Sequence, residues 1–312
     1  MTSDVTFLIH DGFQILDLAG PMAAFQMAGR IAGTEPYRLH VSAPGGGVIS
    51  SSAGVSVAAE AAPPVRGGTL IVVGGTAPGG APPELLRSLG DALAASGRIA
   101  SVCTGAFLLA EAGALDGRRA TTHWKYAPLL QRQYPRIRVE ADRIFVRDGD
   151  TWTSAGISAG IDMALAMIEA DLGPAIARET AQMLVVYHRR PGGQSQFSAM
   201  LEMQPDSDRM ARVLVHAREN LAGDLSVERL AEVACLSPRQ FARAFRQSTG
   251  ETPAKAVERL RAEAARELVE KGCQPIEGIA GAVGFGDPER MRRAFVRIYG
   301  QPPQALRRLE RR

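Results

Sequence analysis

The chain has 312 residues, 46% of them hydrophobic and 22% charged, which suits two folded cores and excludes a disordered polymer. No apolar run nears the roughly 20 residues of a membrane helix, and MTSD runs straight into the alternating VTFLIH without a leader-like apolar region, so a soluble, cytoplasmic chain with no membrane partner is expected. The net charge of +3 is unevenly spread: residues 206–312 carry 20 Lys and Arg against 15 Asp and Glu, leaving the preceding residues slightly acidic. A basic C-terminal third is what a nucleic-acid-binding domain needs, and what many solvated helices also show. The three cysteines (Cys103, Cys235, Cys273) make no disulfide framework and no CxxC pair, and neither metal nor cofactor is expected.

In chain order, Val5–His10 predicts a strand, Gly20–Ile31 a helix and Tyr37–Ala43 a second strand. Thr69–Gly74 is a continuous apolar run ending in glycines, as in a parallel strand buried on both faces. Pro83–Ser96 predicts a helix, Arg98–Val102 a strand, and Gly105–Ala112 a helix that starts directly after Cys103–Thr104. Strands at Ile137–Val139 and Arg143–Val146 precede helices at Gly160–Ala170 and Ala175–Tyr187. This alternation predicts an α/β domain, a flavodoxin-like layered and mostly parallel sheet with helices on both faces, over 1–188. Residues 189–205, with a Pro-Gly-Gly break and no period, predict a linker. From 206 to 312 every apolar pattern is helical.

The C-terminal third contains a repeat. At an offset of 50, Pro238 matches Pro288, Phe241 Met291, Arg243 Arg293, Ala244–Phe245 Ala294–Phe295, Gly250 Gly300 and Pro253 Pro303. Two copies of one supersecondary unit are implied. In the first, Ser226 caps a short helix whose Ala231 and Ala234 allow close packing; Ser237, Pro238 and Gln240 then supply cap, first position and capping box for a second helix. In the other copy Ile276–Val283, with Gly281 and Gly284 at the close-packing positions, precedes Pro288–Tyr299. At about 100° per residue, Arg239, Arg243 and Arg246 lie opposite Phe241 and Phe245, and Glu289 and Arg293, flanked by Arg290, Arg292 and Arg297, lie opposite Met291 and Phe295. Two helices at a tight turn, the second carrying arginines outward, suit insertion in a major groove, with the outermost arginines on bases and the flanking ones on phosphates. A solvated helix face is the alternative for any one arginine.

These units, the joining helix Pro253–Lys271 and the segment AFVRIYGQPPQALRR resemble the DNA-binding domain of the AraC/XylS regulators. That resemblance implies two recognition helices entering successive major grooves of double-stranded DNA. The crowd of arginines in the second recognition helix departs from it, and readout there is not assigned residue by residue.

Cys103 stands where a buried strand ends and a helix begins, where backbone N–H groups and the helix dipole should favour a thiolate and lower the thiol pKa. Sharp turns of this kind hold nucleophiles in other α/β proteins. Asp17 in the first loop, Thr104 and His123 are its candidate partners. His10 and His40 show no ligand spacing. FLIHDGFQILDLAGP, LIVVGG, SVCTGAFLLAEAGALDGRRATTHW and TSAGISAGID resemble the ThiJ/PfpI superfamily of the class I glutamine-amidotransferase-like fold, over about residues 4–188. The resemblance implies a nucleophile elbow at Cys103, with Asp17 hydrogen-bonded to it. Asp17 stands where Glu is common and Thr104 where peptidase-like members have His. His188 is followed by Arg189–Arg190 rather than a His-x-Glu pair, so amidotransferase chemistry is not expected. Three readings of Cys103 stand: an enzymatic site like that of isocyanide hydratases, a ligand pocket without turnover, and a structural thiol or oxidation sensor.

The order of the two domains resembles the GlxA-type regulators. It implies a regulator that is not an enzyme, whose first domain senses a small nitrogenous metabolite near Cys103 and Asp17 and forms a homodimer, with DNA and RNA polymerase as partners.

Overall fold

A computed structural model describes residues 2–61, 67–75, 80–186, 203, 208–272 and 274–310. The predicted linker apart from Met203, together with Tyr187, His188 and Cys273, lies outside these. The chain forms two compact units, Met1–Gly192 and Gly193–Arg312.

The first unit is built on a six-stranded sheet in the order β2-β1-β5-β6-β10-β9. Its strands are β1 (Ser3–Leu8), β2 (Tyr37–Ser42), β5 (Thr69–Val72), β6 (Arg98–Val102), β10 (Thr151–Ser154) and β9 (Phe145–Asp148). All neighbours are parallel except β10 and β9. A hairpin of β3 (Gly47–Ser50) and β4 (Ser56–Ala59) and a small parallel pair of β7 (Arg119–Ala120) and β8 (Arg138–Val139) complete it.

Strand alternation separates two apolar layers. Val5, Phe7, Ile9, Ile71 and Val73 pack with residues of α1 (Ile15–Ala32), α5 (Ala159–Leu172) and α6 (Pro174–Met183). Leu8, Leu70 and Val72 face the other way, onto α2 (Pro83–Ala95), α3 (Gly105–Glu111) and α4 (Ala127–Gln133). This is the expected layered α/β fold. β1 has β2 on one side and β5 on the other, so the strand order reverses there, and the crevice at the carboxyl ends of such strands is where open α/β sheets place their sites.

Four local expectations differ. Helix α1 begins at Ile15 and runs through Pro21, so Asp17 sits in a helix's first turn rather than in a loop. Pro21 lacks an N–H and leaves the Asp17 carbonyl without its usual helical donor, which the sequence reads as a helix start. The strand beside β6 is β10, whose TWTS has no aliphatic residue yet is wholly buried; the predicted strand around 143–146 is the antiparallel edge β9, joined to β10 by a tight turn at Gly149–Asp150. The last helix ends at Met183, followed by Val185 with φ 54°. Hairpin β3–β4 and helix α4 are additional to the sequence reading.

The second unit is all-helical among the described residues: α7 (Asp208–Glu219), α8 (Val227–Val233), α9 (Pro238–Thr249), α10 (Pro253–Lys271), α11 (Ile276–Ala282), α12 (Pro288–Tyr299) and α13 (Pro303–Glu310). Each helix-turn-helix unit has its own core. Phe241 and Phe245 of α9 pack with Leu230, Ala231 and Ala234, and Met203 joins them. Met291 and Phe295 of α12 pack with Ile279, Ala280 and Val283. The predicted caps of the first copy form: the Ser226 side chain accepts from the Arg229 N–H, and Ser237 and Gln240 make a capping box; in the second copy Asp287 accepts from the Glu289 N–H. The offset of 50 holds for α9 and α12 but is 49 for α8 and α11, because the second turn is one residue longer. Gly284 and Gly286, at φ 80° and 71°, absorb it. A Cβ on Gly284 would lie 2.0 Å from the Leu221 carbonyl oxygen, so this glycine is at a close approach; Gly281 is exposed with open space around it and is not a packing glycine.

Candidate functional sites

In the first unit, β6 delivers Cys103 into a left-handed conformation (φ 57°), unusual for a residue with a side chain and costly by about 1–3 kcal/mol. Its surroundings hold it there. Its N–H donates to the Ser154 carbonyl at 3.0 Å and its carbonyl accepts the Thr122 hydroxyl at 2.8 Å. A Cβ on Gly105 would stand 2.2 Å from the Val72 oxygen, and one on Gly156 2.1 Å from Cys103 Cβ, so the elbow closes only on glycines at these places. Thr104 Oγ1 accepts the Gly75 N–H at 2.8 Å and donates to the Gly75 carbonyl at 2.9 Å, fastening the loop after β5 to the elbow.

Asp17 is fully buried beside this turn. Its Oδ1 accepts the Ile157 N–H at 2.6 Å, and Ile157 is itself left-handed at φ 53°. Oδ2 is buried with no N–H or O–H donor among the described residues, and the Cys103 thiol interacts with the carboxyl group. The ends of β5, β6 and β10 and the first turn of α1 thus bring Asp17, Cys103 and Thr104 together. His123 is not joined to them by a hydrogen bond among the described residues: its Nδ1 accepts the Lys125 N–H and its ring lies against Trp124 and Tyr126. The sequence reading missed Thr122, Gly156 and Ile157. Their signal is the Ser-Ala-Gly-Ile turn straight after a strand that itself went unread.

In the second unit, Arg239, Gln240, Arg243 and Arg246 on α9 are exposed, as are Glu289, Arg290, Arg292, Arg293 and Arg297 on α12. Their states differ. Gln240 is engaged in the capping box. Arg239, Arg243 and Arg246 make no ion pair with a described residue, whereas Arg292 and Arg293 both bind Glu289, and Arg297 binds Glu258 of α10.

The DJ-1/PfpI family model matches residues 3–170, and a helix-turn-helix domain model matches 230–309. The HTH-type transcriptional regulator GlxA of Rhizobium meliloti is 31% identical over 311 residues, covering 97% of this chain and 95% of that protein. The chain belongs to the GlxA-type helix-turn-helix transcriptional regulators. A crystal structure of an AraC family transcriptional regulator from Pseudomonas putida shares the fold over part of this GlxA-type chain, with a TM-score of 0.53 at 21% identity over 58% of this chain and 99% of that one. An isonitrile hydratase of Pseudomonas putida is 46% identical over 86 residues, covering 28% of this chain and 35% of the enzyme. This GlxA-type chain is a regulator, like the GlxA relative that aligns over nearly all of it, and the hydratase likeness covers only part of either chain. Among the described residues no helix is long and apolar enough to cross a membrane.

The thiol corrects one expectation. Burial, and then the charge of Asp17, push the Cys103 thiol up to about 12, against the Thr104 N–H that favours the thiolate. Removal from water and a like charge outweigh the start of a short helix. Burial likewise raises Asp17 to about 6, opposed by the Ile157 N–H and the thiol. Native Cys103 should therefore alkylate about a thousandfold more slowly at neutral pH than a free cysteine in solution, following its thiolate fraction; mass spectrometry of iodoacetamide-treated protein measures this, and comparable rates would contradict it. Because the folded Asp17 pKa lies above its ordinary value, the stability it contributes is complete below about pH 4 and lost as pH rises through about 6. Denaturant unfolding should show Asp17→Asn gaining up to about 3 kcal/mol on the wild type between pH 4 and pH 8. A gap that does not change with pH would contradict the assignment.

Proposed function

We propose that this regulator reads a bipartite operator by placing α9 and α12 in successive major grooves, and that a small ligand held at the elbow of the first unit controls it. The observation that carries this reading is the unpaired, exposed row Arg239, Arg243 and Arg246, opposite the buried Phe241 and Phe245 on a capped helix in the second position of a helix-turn-helix unit. Arginines without a protein partner lose no ion pair on meeting DNA. A guanidinium matches guanine O6 and N7 bidentately, and its neighbours neutralise phosphates. Arg290, Arg292, Arg293 and Arg297 supply the corresponding charge on α12.

In the first unit, Asp17 supports an effector reading. A buried carboxylate whose Oδ2 has no N–H or O–H donor among the described residues stabilises a donor or cation brought beside it, and a small nitrogenous metabolite supplies one. The raised thiol favours a pocket over a nucleophile. Cys103, Asp17 and the Thr104 backbone are the residues that such a ligand would meet, and His123 is not needed. In this reading residues 1–188 sense the ligand and pair with a second copy, 189–205 link, 206–312 bind DNA, and a cytoplasmic dimer acts on RNA polymerase at the promoter.

The test is Arg243→Ala on the full chain, using a duplex that the wild type selects from a random pool. Binding to that duplex should weaken by about 1–3 kcal/mol while binding to random DNA changes little. Equal weakening on both, with a salt slope reduced by about one, would assign Arg243 to a phosphate and refute base reading by it.

A further inference from the structure

The two recognition helices correspond position by position, yet differ at the second helical residue: Arg239 in α9 is Glu289 in α12. Both residues are exposed, both follow a proline at the first position, and both helices start from a side-chain cap, Ser237 or Asp287. The two side chains thus leave equivalent places in the first turn, the part of a recognition helix that meets base edges. Helix α9 has no carboxylate, and Glu289 is the single one of α12.

Glu289 is also held. Arg292 donates to its Oε2 through Nε at 2.6 Å and to its Oε1 through Nη2 at 2.8 Å, and the Arg293 Nε reaches Oε1 at 3.3 Å. The hydrogen-bonded Arg292 guanidinium holds the Glu289 carboxyl down to about 2, so it is ionised at any pH at which the protein binds DNA. Exposed ion pairs within one helix add little to stability, which leaves a fixed carboxylate in a DNA-facing turn without a structural reason. Near phosphates it is repulsive, and the two arginines offset that charge while keeping further N–H groups for the backbone of the duplex.

The chemistry of the two positions is opposite. A guanidinium only donates and a carboxylate only accepts; in the major groove guanine presents the acceptors O6 and N7, and cytosine the N4 amino donor. We infer that the two units read opposite members of a G·C pair at matching places, guanine by Arg239 and cytosine by Glu289, so that the operator consists of two unlike half-sites and Glu289 determines the specificity of the second. This rests on the proposal above that both helices enter the major groove.

The experiment is selection from a randomised duplex pool by the full chain and its variants, followed by affinity measurements on the selected duplexes. The wild type should enrich two half-sites, one with guanine and the other with cytosine at the matching place. Glu289→Ala should lose about tenfold discrimination for that cytosine and leave the first half-site unchanged. Glu289→Gln should move the preference toward adenine, and Glu289→Arg toward guanine; a merely structural ion pair would move neither. An unchanged cytosine in the Glu289→Ala selection, or its absence from the wild-type one, overturns the assignment to Glu289 while leaving DNA recognition intact. Enrichment of no sequence by the wild type overturns the underlying reading as well.

Discussion

Helix α10 is the constraint on which the DNA-binding unit depends, because it belongs to both cores at once. Ala256, Val257 and Leu260 are buried in the core of the first helix-turn-helix unit, and Ala262, Ala265 and Val269 in that of the second. Small alanines let the neighbouring helices approach it closely and favour its helical form. At 1.5 Å per residue its 19 residues span about 28 Å, close to the ~34 Å of one turn of DNA. Polar contacts support it at Glu258 and Arg261, in its N-terminal half. Arg261 donates to the Leu221 and Gly223 carbonyls, in the segment before α8, and Gly284 of the second turn lies against the same Leu221 oxygen. Arg297 of α12 binds Glu258. The two recognition helices are therefore held by one rigid element rather than by a tether.

The first unit shows a related economy. Everything at its elbow follows from bringing four chain segments to the carboxyl ends of adjacent strands with no room for side chains at Gly105 and Gly156. The result is a buried acid and a buried thiol side by side, both raised chiefly by their removal from water. Such a pair is poor in thiolate and rich in unspent hydrogen-bonding capacity, which suits recognition better than turnover.

Much of this was legible in the sequence. Apolar period and glycine placement gave the layered sheet, and the repeat gave both helix-turn-helix units with their caps, because those features are local. What the sequence hid has physical causes. Strand β10 is buried yet made of Thr, Trp and Ser, whose burial depends on hydrogen bonds such as Thr121 N–H to Thr153 Oγ1 that only the fold supplies. Pro21 marks a helix start in sequence but lies inside α1, which moves Asp17 from a loop to a helical turn. At Cys103 burial outweighs the helix dipole, and burial cannot be read from the sequence of the turn alone. The sequence shows Glu289 among the arginines of α12 but not the partner of Arg297, Glu258, which lies 39 positions away.

In the proposed complex, α9 and α12 face one duplex together at the spacing set by α10. Hydroxyl-radical footprinting of the full chain on its selected duplex tests this most directly. Two protected segments are expected on the same face of the DNA, about 10 base pairs apart centre to centre. Protection of a single segment, or of two on opposite faces, would contradict it.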